Sequence, residues 1–198
     1  PKDSGVSRFG KAVIEEMNHL GMIVDLSHAG KQTCIEAIEF SNKPVAISHA
    51  NPSFFHKSIR NIDTDVLKKL AKKNGFIGLS LYPYHLKNLG ECTPEEFCSM
   101  IKELINLIGE DNIGIGSDLC LNWPDDVVMW MRNGNWTKKI DYGESKDKNP
   151  KWPKLPTWYK QPSDLKNFFT IMCENNISEK VATKIVGENW FNFMKNQF

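Results

Sequence analysis

The sequence predicts an α/β protein built from repeated strand–helix units around a parallel sheet. Three observations carry this. Short apolar runs alternate with helix-length amphipathic stretches along residues 8 to 118, the pattern that parallel βα units produce. Two of the runs, "IVDLSHAG" and "PVAISHAN", end on the same Ser-His pair and a small-residue turn. The 198 residues are 40% hydrophobic, enough for one sizeable core, so a single domain over 1–198 is expected.

The first helix is expected over residues 8 to 20, where Phe9, Val13, Met17 and Leu20 fall near helical spacing and Gly21 supplies a stop. A strand from Met22 to His28 follows, then a helix from about Lys31 to Phe40. Pro44 introduces a second strand, Val45 to Ser48, and Asp63 caps a helix ending at Gly75. "FIGLSLY" is the third strand. Thr93-Pro94-Glu95-Glu96 reads as a capping box with proline at the first helical position, opening a helix with Phe97, Ile101, Leu104 and Ile108 on one face and Gly109 at its end. "NIGIGSD" is the fourth strand. Residues 119 to 160 break the alternation and hold Trp123, Trp130, Trp136, Trp152 and Trp158 of the six tryptophans. A polar linker does not carry so many aromatics, so this is an ordered excursion, either a lid or a subunit contact. Ser163 and Ser178 are expected to cap closing helices over 164–175 and 179–195.

Side chains alternate faces along a strand, which groups Val24, Leu26 and His28, and likewise Val45, Ile47 and His49. Phe76, Gly78, Ser80 and Tyr82 form a third set, and Gly114, Gly116 and Asp118 a fourth. The successive strands thus end in His28, His49, Tyr82 and Asp118. If these ends share the interior of a barrel, they meet at its C-terminal mouth, where such folds place their chemistry. Two imidazoles and a carboxylate there suit a zinc site. Zinc takes neutral histidine and brings the pKa of a bound water to about 7, and a nearby carboxylate can relay its proton to a leaving amine. Each residue also has an ordinary reading: a strand-end histidine as a hydrogen-bonded structural group, Asp118 as a helix cap, and Arg60, His19, His56 and His85 as surface or loop residues.

Bulk properties exclude other classes. Lys plus Arg number 25 against 24 Asp plus Glu, a net charge of +1, which makes neither a nucleic-acid surface nor an acidic-substrate funnel. No run approaches the roughly 18 apolar residues of a membrane span. The odd set of cysteines, Cys34, Cys92, Cys98, Cys120 and Cys173, lacks a CxxC pair and argues for a reducing cytoplasm over a disulfide framework.

Taken in order, "SRFGKAVIEEMNHLGMIVDLSHAG", "PVAISHAN", "SIRNIDTDVLKKLAKKNGFIGLSLYP", "IGIGSDL" and "KIVGENWFNFMK" resemble the C-terminal part of the membrane (renal) dipeptidase family, the M19 metallopeptidases. The resemblance implies the C-terminal half of a (β/α)8 TIM-like barrel of the metal-dependent hydrolase type. It implies a zinc-dependent dipeptidase with two zinc ions per complete site, His28 and His49 ligating metal and Asp118 handling protons for the attacking water. Arg60 would hold the dipeptide carboxylate, and Tyr82 would line the pocket. Two departures stand out. The family's Asp-Phe-Asp-Gly is here Asp118-Leu119-Cys120-Leu121, and its His-x-Asp motif and metal-bridging Glu lie upstream of anything in this sequence. Half a barrel leaves an open edge, so a missing N-terminal half, or a second copy in a homodimer, is expected to complete it. Two alternatives stay open: a related amidohydrolase on another amide, and a non-catalytic half-barrel with a binding or assembly role.

Overall fold

The structure, a computed structural model, describes residues 3–122, 124, 127 and 152–197. Three short strands, β1 (Ala46–Ile47), β2 (Phe76–Leu79) and β3 (Ile113–Ile115), form a parallel sheet in the order β1-β2-β3. The register pairs Ile47 with Ile77, then Ile77 with Ile113 and Gly78 with Gly114. Before them stand helices α1 (Arg8–His19) and α2 (Lys31–Phe40). Helix α3 (Thr64–Lys72) joins β1 to β2, and α4 (Pro94–Ile108) joins β2 to β3. The expected βα alternation and parallel sheet are therefore present.

The helix ends follow local chemistry. Ser7 Oγ accepts from Gly10 N at 3.0 Å to open α1. The Thr93 box is complete, with Thr93 Oγ1 accepting from Glu96 N at 3.2 Å and Thr93 N donating to Glu96 Oε2 at 3.1 Å. The opening of α2 carries no cap of its own. Asp3 supplies one from a distance, accepting from Gln32 N at 2.6 Å and Thr33 Oγ1 at 2.6 Å.

The strands are shorter than the apolar runs. The segment 22–28 makes a single parallel bridge, Asp25 to Ala46, and turns away at Ser27. Past Ile47 the Ser48 N–H goes to the Asp25 carboxylate instead of a neighbouring strand, and past Leu79 the Ser80 N–H goes to Asn51 Oδ1 at 3.1 Å. Side-chain acceptors thus end the ladder where apolar pattern alone would extend it.

One face of the sheet, with Val24, Leu26, Val45, Ile47, Ile77, Leu79 and Ile113, packs into the main core beneath Ala37 and Ile38 of α2, Leu67 and Leu70 of α3, and Phe97, Ile101 and Leu104 of α4. The other face carries Ala46 and Phe76 against Trp190 and Phe193. Phe76 and Trp190 ring centroids lie 4.1 Å apart, and Trp190 Nε1 donates to Ile115 O at 2.8 Å.

Helix α5 (Leu165–Glu174) follows a 3₁₀ turn at Pro162–Asp164. The expected cap at Ser163 is replaced, because Asp164 Oδ2 accepts from Lys160 N at 2.8 Å and Gln161 N at 3.2 Å. The last predicted helix is three joined pieces: α6 (Glu179–Thr183), a π-helical turn (Lys184–Glu188) and α7 (Asn189–Lys195). Ser178 caps the first as expected. The wide turn sits where Lys184 reaches Glu110 at 2.6 Å and Asp111 at 2.7 Å, and where Asn189 Nδ2 donates to Ile113 O at 2.8 Å.

The apolar spacing of α1 has a different outcome. Ile14 and Asn18 are the buried positions, while Phe9 is 78%, Val13 40% and Leu20 61% exposed, with Met22 beside them at 52%. From the excursion, Trp158 stacks on Phe168 at 5.6 Å and donates from Nε1 to Cys92 O at 2.8 Å, so its final stretch belongs to the core around α4 and α5. Trp123, Trp130 and Trp136 lie outside the described residues. No helix among the described residues is long and apolar enough to cross a membrane.

Candidate functional site

The C-terminal ends of parallel strands share one edge, so the loops leaving them converge. Here they bring His28 and His49 together, with Nε2 atoms 3.1 Å apart and ring centroids at 5.1 Å. Strand parity is not what unites them. Val24, Leu26, Val45 and Ile47 all face the helices, and each histidine escapes that face because the chain bends before reaching it.

The bends are held by Asp25, Ser27 and Ser48. Asp25 Oδ1 accepts from Ser27 N at 3.1 Å, Ser27 Oγ at 2.7 Å and Ser48 N at 3.0 Å, while Oδ2 accepts from Ser48 Oγ at 2.5 Å. Ser27 Oγ also accepts from His49 N at 3.0 Å, and Ser48 Oγ lies 2.7 Å from His49 Nδ1. Partial burial alone would push the Asp25 carboxyl up; the bonds from Ser48 and Ser27 outweigh it and hold the group below the ordinary carboxylate range.

Arg60 and Asp118 stand beside this pair. Arg60 Nη1 donates to Ser27 O. Burial pushes His28 below its ordinary value, and the charge of Arg60 and the second imidazole add to that, while Asp118 and Asp25 pull the other way. The net shift favours the neutral imidazole, the form a metal requires. Asp118, three residues beyond the end of β3 at Ile115, is left-handed with φ at 55°. Tyr82 is half-buried, with ring contacts to Tyr84 at 5.8 Å and His85 at 5.2 Å.

A buried amide network steadies the Arg60 loop. Asn51 Nδ2 donates to Ser80 O at 2.9 Å and His85 O at 3.1 Å, Asn51 N donates to Asn61 Oδ1 at 3.1 Å, and Asn61 Nδ2 donates to His85 O at 3.0 Å. His85, read from sequence as an ordinary loop residue, is buried with Nδ1 2.8 Å from Ser80 Oγ.

Two nitrogens bound to one zinc at about 2.0–2.1 Å in tetrahedral array stand about 3.3 Å apart. The 3.1 Å between the two Nε2 atoms is close to that bite, so the pair fits as two ligands of one ion. Among the described residues no group of three or more His, Cys, Asp or Glu forms a complete metal site. Sequence reasoning reached His28, His49, Arg60 and Asp118. It passed over Asp25, Ser27 and Ser48, although both serines stood in the repeated Ser-His endings.

The profile of the family described as membrane dipeptidase (peptidase family M19) matches residues 1–125. Dipeptidase tcpJ of Claviceps purpurea is 34% identical over 154 residues, 71% of this chain and 36% of that protein. An amidohydrolase from Pseudomonas aeruginosa superposes with a TM-score of 0.88 at 30% identity, over 100% of this chain and 59% of its own. A metallopeptidase from Rhodobacter sphaeroides, solved with a phosphinate mimic of the dipeptide L-Ala-D-Ala, superposes with a TM-score of 0.75 at 20% identity, over 98% of this chain and 48% of its own. The chain thus spans about a third of the curated relative and roughly half of the solved structures.

Proposed function

The chain belongs to the membrane dipeptidase family, peptidase family M19, and from that premise we propose that it supplies the C-terminal half of a (β/α)8 barrel in a zinc-dependent dipeptidase. The observation that carries the zinc reading is the histidine pair, two Nε2 atoms at ligand spacing beside an arginine and an aspartate. His28 and His49 would hold the ion. When bound, zinc supplies a Lewis acid and acidifies a water to a pKa of about 7.

The chain's own residues do the rest. The Arg60 guanidinium pairs with the free carboxylate of a dipeptide, a planar match that ammonium cannot reproduce. Asp118 accepts the proton of the attacking water and passes it to the leaving amine as the C–N bond breaks. Tyr82 lines the substrate side. The exposed stripe of Phe9, Val13, Leu20 and Met22 and the single bridge of the 22–28 segment support a covering half-barrel on that edge, from the N-terminal part of a longer chain or from a second copy.

The test is hydrolysis of a dipeptide panel by the intact protein, with zinc content measured alongside. His28→Ala and His49→Ala should each abolish turnover and lower retained zinc. Full turnover by either variant refutes the site.

A further inference from the structure

The proton inventory around Asp25 determines which nitrogen of His49 is bare. The carboxylate accepts from both serine hydroxyls, Ser27 Oγ at 2.7 Å and Ser48 Oγ at 2.5 Å. Each hydroxyl has one proton; the two oxygens also stand 3.0 Å apart, but the shorter, charge-assisted contacts to the carboxylate take both protons. Ser48 Oγ then offers His49 only lone pairs, and at 2.7 Å from Nδ1 it must receive the ring proton. His49 is left with a bare Nε2, the atom that faces His28 Nε2 at 3.1 Å.

We infer that Asp25 is a positioning residue which, through Ser48, fixes the tautomer and aim of His49 so that Nε2 presents its lone pair to a metal. The inference rests on the dipeptidase reading for the identity of the ion, but not for the tautomer. Partners beyond the ligands themselves commonly set ring orientation and basicity in metal sites. This one works through an intervening hydroxyl, and Ser27 adds a second hold by accepting the His49 backbone N–H at 3.0 Å.

Asp25→Asn distinguishes a relay from a mere brace. Oδ1 receives three donors and Oδ2 only the Ser48 hydroxyl, so the asparagine keeps its oxygen at the first position and places NH2 at the second. That NH2 donates to Ser48 Oγ, whose own proton turns to His49 Nδ1. The imidazole proton moves to Nε2, and the ligand atom is blocked.

The experiment is long-range 1H–15N correlation of the imidazole rings in intact, metal-stripped protein above pH 7, with His49→Ala assigning the signals. Zinc affinity is measured in parallel by competition with a chromophoric chelator. Wild-type His49 should carry its proton on Nδ1, and Asp25→Asn should move it to Nε2 while weakening zinc about 10- to 100-fold. Ser48→Ala, a smaller change, should also release the Nδ1 preference. A wild-type ring protonated on Nε2, or a tautomer that Asp25→Asn leaves unchanged, overturns the inference, and the first of these needs no variant to fold. A tautomer that switches in a protein retaining no zinc supports the relay and refutes the dipeptidase site instead.

Discussion

Main chain packs closely where the sheet meets the histidines, and Gly116→Ala probes that contact. A Cβ built at position 116 would lie 1.7 Å from the Ser48 carbonyl oxygen and 3.2 Å from the Gly78 carbonyl carbon. Real Cβ contacts rarely fall under 3.0 Å, so the Ser48 backbone must retreat by more than an ångström. No flexible side chain can absorb this, since the obstacle is main chain. Overpacking of that kind costs about 1–3 kcal/mol. Ser48 carries His49 and half of the Asp25 contacts, so the retreat also drags a ligand out of place, and misplacement by about 1 Å can cost about 100-fold in rate. Gly187→Ala is the matched control. Nothing stands within 4 Å of a Cβ there, and the change should be neutral or add up to about 1 kcal/mol. Urea unfolding of both variants, compared by midpoint at unchanged slope, gives the stabilities, and dipeptide turnover gives the coupling. A Gly116→Ala protein with wild-type midpoint and turnover would refute the packing argument.

Other expectations follow from the same contacts. Asn51→Ala removes the amide that joins both backbone groups of Ser80 to the His85 carbonyl; the buried Ser80 groups lose that partner, which should lower stability by about 1–3 kcal/mol, read by the same titration. Loosening the Arg60 loop should raise KM for dipeptides more than it lowers kcat. Thr93→Ala breaks the capping box of α4 and should cost about 1 kcal/mol with no change in KM. Burial pushes the thiols of Cys34 up to about 11 and of Cys92 and Cys98 up to about 12. A thiol reagent at pH 8 should therefore label Cys120 and Cys173 in the native protein and all five cysteines after denaturation; rapid native labelling of Cys34 would contradict the described core.

The parallel sheet and most helix ends were legible in the sequence because they depend on local chemistry. Alternating apolar runs, Thr93 with Glu96, and Ser178 each act within a few residues. Strand length was not legible, because β1 and β2 are cut short by side chains distant in sequence, Asp25 acting on Ser48 and Asn51 on Ser80. The spacing of Phe9, Val13 and Leu20 gave the helix but not its orientation, since the same period describes a core face or an outer one. At the site, residue types pointed to His28, His49, Arg60 and Asp118. Parity assigned the histidines to the face of Val24 and Ile47, and only the bends after Leu26 and Ile47 take them off it. The remote Asp3 cap of α2 shows the same limit: a partner some thirty residues away leaves no local mark.

These misses share a physical origin, and it bears on how the site is tested. The bonds that terminate the strands are the bonds that hold the histidines: Ser48 N–H leaves the ladder for Asp25, and the Ser48 hydroxyl joins that carboxylate to the His49 ring. Folding and site assembly therefore draw on one set of contacts. A variant that breaks the set, such as Asp25→Ala, should lose stability and ligand geometry together, and lost turnover alone cannot separate the two. Asp25→Asn retains a carbonyl oxygen for the three donors at Oδ1 and reverses only the polarity at Oδ2, so the fold keeps most of its support while the His49 proton changes nitrogen. Unfolding in urea near the wild-type midpoint, with the tautomer switched, would locate Asp25's role in the direction of one proton. A midpoint that collapses with the tautomer intact would make it a brace for the bend and nothing more.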